Sequence, residues 1–111
     1  MAAQKRQAEA LAQLFRVLGD RTRVRILQLL QDDEINVTQI CKKLRAPQPT
    51  VSRHLGILRM ADLVSTRRNG KEIYYSLENL RLDKYTRAMQ AMLGRSSVLR
   101  LGRLVMGISP K

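Results

Sequence analysis

A chain of 111 residues, 44 % of them hydrophobic, can bury one modest core and is too apolar to remain disordered. Lys and Arg number 21 against 9 acidic residues, a formal charge of +12, which favours polyanionic partners: nucleic acid first, an anionic membrane surface second. No apolar run approaches the ~18 residues that a membrane span requires. The opening stretch MAAQKRQAEALAQLF carries Lys5, Arg6 and Glu9, so it does not read as a secretory signal. Cys41 stands alone and can form no internal disulfide, which fits a reducing, cytoplasmic setting.

In chain order, Leu11, Leu14, Phe15 and Leu18 fall at i, i+3, i+4 and i+7, the apolar stripe of a first helix. Gly19 ends it and Asp20 suits the N-cap of a second, RTRVRILQLLQ. That helix turns Val24, Ile26, Leu27 and Leu30 inward and Arg21 and Arg25 to solvent. After DDE, the piece INV (35–37) predicts a short strand, and Thr38 a cap for a third helix, QICKKL, with Ile40, Cys41 and Leu44 inside. RAPQP forms a turn, because each proline drives its predecessor out of helical geometry. A fourth helix then runs over about 48–60, with Pro49 tolerated in its first turn. The pair is a helix-turn-helix pattern. Asn69-Gly70 predicts a hairpin closed by a type I′ turn. That register sets Arg68 opposite Lys71, Arg67 opposite Glu72 and Thr66 opposite Ile73, with Val64, Thr66, Ile73 and Tyr75 on one face. A last helix uses Leu80, Tyr85, Ala88, Met89 and Met92. The segment after it mixes basic and apolar residues with only weak helical character.

On a helical wheel of residues 48–60, Val51, Leu55 and Leu58 point to the core. Pro49, Ser52, Arg53 and Gly56 lie opposite, with Gln48 at the margin. A major groove admits one helix and is read by the side chains near its start. Gln bonds adenine, Arg bonds guanine, and Ser reaches base or phosphate. The same face could simply be solvated, but the hairpin beside it tips the balance. Arg67, Arg68 and Lys71 gather three cations at one tip, and like charges set opposite each other cost up to roughly 1 kcal/mol unless a polyanion relieves them. A basic hairpin could otherwise serve only as a protected sheet edge.

His54 lies on the flank of the core side, where a packed or hydrogen-bonding histidine is the usual case and a phosphate contact the alternative. Cys41 reads as a small hydrophobe, with a thiol switch or a contact across a dimer behind it. No Gly-rich phosphate loop, zinc spacing or nucleophile–base pair is present; Ser52 and His54, two apart on a helix, diverge. The chain is therefore expected not to be an enzyme and to hold no cofactor or metal. The apolar stripes of the first and last helices either finish the monomer core or pack against a second copy. A second copy would set two recognition helices about 34 Å apart, matching a palindromic site.

The stretches LFRVLGDRTRVRILQLL and PQPTVSRHLGILRMADLVSTRRNGKEIYYSL resemble the arsenic-repressor (ArsR-type) family of bacterial winged-helix regulators over about residues 10–92. The resemblance implies a homodimeric repressor, joined through its first and last helices, that leaves operator DNA when a metal or other signal is sensed. It implies base reading by Gln48, Pro49, Ser52 and Arg53, a wing of Arg67, Arg68 and Lys71, and phosphate contact by Thr38 and Gln39. The departures are specific. The family's Cys-Val-Cys metal site reads Asn36-Val37-Thr38 here, Asp83 has no histidine near it, and a two-thiol redox pair is missing. Pro47 replaces the usual serine cap, and Asp62 stands where the family commonly has Gly, although Asp tolerates a left-handed turn.

The expectation is a mainly α winged helix-turn-helix with a small β-hairpin, a homodimer through its terminal helices. Residues 1–95 form the DNA-binding and dimerisation domain, and 96–111 a basic tail. It acts in the cytoplasm as a transcriptional regulator, a repressor on a palindromic operator, with double-stranded DNA as partner and no membrane. Gln48, Pro49, Thr50, Ser52 and Arg53 form the recognition surface; Thr38, Gln39, Arg67, Arg68 and Lys71 form the wing and phosphate contacts. The competing reading is a winged-helix protein-interaction module, and a lesser one is a membrane-surface role for the tail.

Overall fold

The structure, a computed structural model, describes residues 2–94, the Leu80 side chain excepted, together with Ser96 and Arg100. The rest of the expected basic tail lies outside the described residues. The elements run α1 (Ala2–Leu18), α2 (Arg21–Asp32), β1 (Ile35–Asn36), α3 (Val37–Leu44), α4 (Gln48–Met60), β2 (Val64–Asn69), β3 (Glu72–Leu77) and α5 (Asn79–Leu93). This is the mainly helical winged arrangement that the patterning predicts.

In α1 the buried line is Leu11, Leu14 and Val17. Phe15, placed in the stripe by sequence, is instead 45 % exposed. The helix meets its neighbours along i, i+3, i+6, which turns position 15 outward and leaves Leu18 only half-buried. At Gly19 a Cβ would come within 3.1 Å of the Phe15 carbonyl oxygen, so glycine eases the exit from the helix. Asp20 caps α2 as expected: its Oδ1 accepts from the N–H groups of Thr22 at 2.9 Å and Arg23 at 3.2 Å.

The start of α3 differs from expectation. Asn36, not Thr38, is the cap. The Asn36 side chain accepts from the Gln39 N–H and the Gln39 side-chain carbonyl accepts from the Asn36 N–H, both at 2.9 Å. Asn outranks Thr as an N-cap, and a Gln three residues on completes the reciprocal box. The helix therefore begins at Val37, and the strand shrinks to two residues. Arg45 closes α3 in the left-handed region, at φ 53°.

Helix α4 begins after Pro47 with Pro49 in its first turn. Val51, Leu55 and Leu58 are fully buried, each contributing roughly 1.5–3 kcal/mol relative to exposure. Asp62 turns the chain out of α4 at φ 59°, the left-handed conformation that its place in the sequence predicts.

The sheet is antiparallel in the order β1-β3-β2. Its hairpin register corrects the expected one: Asn69 pairs with Glu72, Arg68 with Ile73 and Thr66 with Tyr75. The two-residue loop is therefore Gly70-Lys71, with Gly70 at φ 66° and Lys71 not left-handed. A glycine at the first central position suits a type II′ turn, which leaves Asn69 free to stay in the strand. The shift is two residues, so Val64, Thr66, Ile73 and Tyr75 still share a face. Arg68 and Lys71 are no longer opposed, and the repulsion inferred from that pairing does not arise.

Helix α5 packs along α1. Its Leu82, Tyr85, Ala88 and Met89 are partly buried against the core, while Met92, expected in the stripe, is 53 % exposed.

Candidate nucleic-acid interface

The two sides of α4 are sharply different. One packs against α2, α3 and β2. On the other, Gln48, Pro49, Ser52 and Arg53 are exposed, with Thr50 half-buried. Arg53 makes no hydrogen bond or ion pair with any described residue. Gly56 continues this face, and a Cβ added there would meet nothing within 4 Å. Thr38 and Gln39 are exposed in the first turn of α3, but the Gln39 carbonyl is held in the cap.

Among the hairpin cations, Arg68 and Lys71 are exposed and unpaired among the described residues. Arg67 differs. Its guanidinium donates to Glu34, Nη2 to Oε1 at 2.6 Å and Nε to Oε1 and Oε2 at 3.1 and 3.3 Å. It also lies over the Tyr74 ring at 5.2 Å. The register explains this: Arg67, Tyr74 and Asn36 form one row across the three strands, and Glu34 lies two residues before Asn36. The hydrogen bond from Arg67 holds the Glu34 carboxyl below the usual carboxylate range; desolvation opposes it, and the Arg67 charge adds to it. In return Glu34 pushes the Arg67 guanidinium further up.

His54, next to Arg53, is 5 % exposed and so more buried than its flanking position suggests. Its Nδ1 lies 3.3 Å from Nη1 of Arg23 and 3.8 Å from Oδ1 of Asp20. An arginine N–H can only donate, so the contact with Arg23 is a hydrogen bond when Nδ1 carries no proton, whereas a protonated ring faces Asp20 as a cation. Arg23 also donates to the carbonyls of Arg16 and Val17 in the last turn of α1, the first of which also accepts from the Gly19 N–H at 3.4 Å. One arginine thus joins the end of α1, the start of α2 and the buried side of α4. Burial raises the Asp20 pKa, but the Arg23 N–H, the His54 ring, the Thr22 N–H and the Arg23 guanidinium together hold it below the usual range. Sequence reasoning missed the roles of Arg23 and Glu34. Arg23 stood in the Asp20–Arg23 stretch that carries the resemblance, yet its partners lie 6, 7 and 31 residues away.

Cys41 is half-buried on α3. Among the described residues no three His, Cys, Asp or Glu side chains gather into a metal site, and no helix is long and apolar enough to cross a membrane.

Two short helices, the second baring small polar side chains and an unpaired arginine beside a cationic two-stranded hairpin, define a winged helix-turn-helix. The family model for bacterial regulatory proteins of the arsR family matches residues 20–66. The biofilm growth-associated repressor of Agrobacterium fabrum is 36 % identical over 90 residues, 81 % of this chain and 74 % of that protein. The chain belongs to the arsR family, whose members are transcription regulators rather than enzymes. The HTH-type transcriptional regulator KmtR of Mycobacterium tuberculosis is 49 % identical over 67 residues, 60 % of this chain; the chain spans only 52 % of that relative. The same fold occurs in the homodimeric winged helix-turn-helix DNA-binding domain of a possible ArsR-family regulator from Mycobacterium bovis, with a TM-score of 0.62, 25 % identity and 82 % of each chain covered.

Proposed function

We propose that this chain is a sequence-specific, double-stranded-DNA-binding transcriptional repressor that acts as a homodimer on a palindromic operator in the cytoplasm. The observation that carries the reading is the face of α4 bearing Gln48, Pro49, Thr50, Ser52 and Arg53, with Ser52 and Arg53 fully outside the core and Arg53 unpaired. Those side chains read base edges, while Arg68, Lys71, Thr38 and Gln39 hold phosphates. Arg67 contributes to the backbone contact only in competition with Glu34.

The dimer forms through α1 and α5, where Phe15, Met92 and Leu93 remain 45, 53 and 48 % exposed. That the mycobacterial domain of the same fold is homodimeric supports a dimer. Selection of bound duplexes from a random pool tests the function as a whole. The expected product is an enriched inverted repeat with half-sites about one helical turn apart. No enrichment, or no saturable and salt-dependent binding, would favour the protein-interaction module instead.

A further inference from the structure

A cleft of about 660 Å³ opens between α1, α4 and α5, a volume suited to a small organic molecule. Leu14 and Val17 of α1, Ile57 and Met60 of α4 and Tyr85 of α5 give it largely apolar walls. Met60 stands 87 % exposed at this cleft, a long apolar side chain left in water. Gly56, also lining it, supplies no side chain, and the place where one would stand is empty to 4 Å. Two charged groups border the space. Asp62 is already matched by Arg81 at 3.3 Å, whereas Arg53 has no partner among the described residues. The cleft therefore offers apolar walls, the Gln13 amide, and one uncompensated cation.

We infer that this cleft is an effector site for an apolar carboxylic acid whose carboxylate pairs with Arg53 and whose hydrocarbon or aromatic body lies against Leu14, Ile57, Met60 and Tyr85. The inference rests on the DNA-binding reading for its consequence, though not for the binding itself. An arginine held by a ligand carboxylate cannot also take the two acceptors of a guanine edge, so ligand and operator exclude each other. The charge of the ligand also lowers the positive potential at the surface that meets DNA. Release thus needs no long-range conformational change, because effector and base share one side chain.

The test uses the full chain with octanoate and 4-phenylbutyrate as probes and octanol as the uncharged control. Titration calorimetry without DNA reads binding alone. Both acids bind the wild type, octanol binds at least about tenfold more weakly, and Arg53→Gln loses about tenfold in affinity for the acids, as expected for a charge-assisted hydrogen bond. Gln13→Trp, an exposed wall position outside the DNA-binding surface, fills the cleft and abolishes acid binding while duplex binding persists. In fluorescence anisotropy with a selected duplex, saturating acid then raises the apparent Kd of the wild type at least tenfold and leaves Gln13→Trp unaffected. Absence of acid binding, equal binding of octanol, or a Gln13→Trp variant that binds and responds to the acids as the wild type does would overturn the site. Acid binding by a protein that holds no duplex would instead leave the site standing and overturn the DNA-binding reading.

Discussion

Arg53 and His54 are consecutive residues of α4 with opposite environments: one free in solvent, the other sealed against Arg23. The cations of the hairpin divide in a similar way. Arg68→Ala removes an unpaired charge, so it should weaken binding to specific and random duplexes alike and lower the salt slope by about 1. Arg67→Ala should lower the slope by less, because Glu34 already holds that guanidinium; a salt titration of both variants checks the order. Asp20 gives a pH signature. Its carboxyl titrates lower in the folded chain than in the unfolded one, so its charge stabilises above the unfolded pKa, near 4, and that contribution is lost as pH falls through the folded value. Asp20→Asn keeps a capping side chain but loses the charge facing Arg23 and His54. Thermal melts should therefore show it less stable than the wild type at pH 7, with the gap narrowing below about pH 4.

Among the elements, those whose signals are local were legible in the sequence. The fully buried trio Val51, Leu55 and Leu58 placed the inward side of α4, and Asp20 fixed the start of α2. Where two local signals competed, the structure chose between them. Asn36 displaced Thr38 as cap because Gln39 stood ready to complete the box. Gly70 displaced Asn69 as the first loop residue, and the register followed. Contacts between distant segments left no such trace: nothing local in Glu34 announces Arg67, and nothing in Arg23 announces His54. The cap carries a measurable consequence. Asn36→Ala should cost about 1 kcal/mol, and no more than about 2, in urea unfolding, while Thr38→Ala should cost clearly less.

At the scale of the whole molecule, the formal charge of +12 and the apolar residues left exposed on α1 and α5 suggest two different partners. The charge favours a polyanion, and Phe15, Met92 and Leu93 favour a second copy. A charged side chain in the middle of such an interface leaves an uncompensated buried charge, so Phe15→Glu should convert the dimer to a monomer in analytical ultracentrifugation with secondary structure unchanged. The monomer should then bind a palindromic duplex more weakly than the wild type. A variant that still sediments as a dimer would place the interface elsewhere.

Whether the open face of α4 reads base edges, as proposed, is decided by a paired titration. The wild type and Arg53→Ala are each titrated against a selected duplex and a random one at the same salt. Base reading predicts that Arg53→Ala loses about 1–3 kcal/mol on the selected duplex and far less on the random one, collapsing the ratio between them. Equal losses on both duplexes would reduce Arg53 to a phosphate contact and contradict the account.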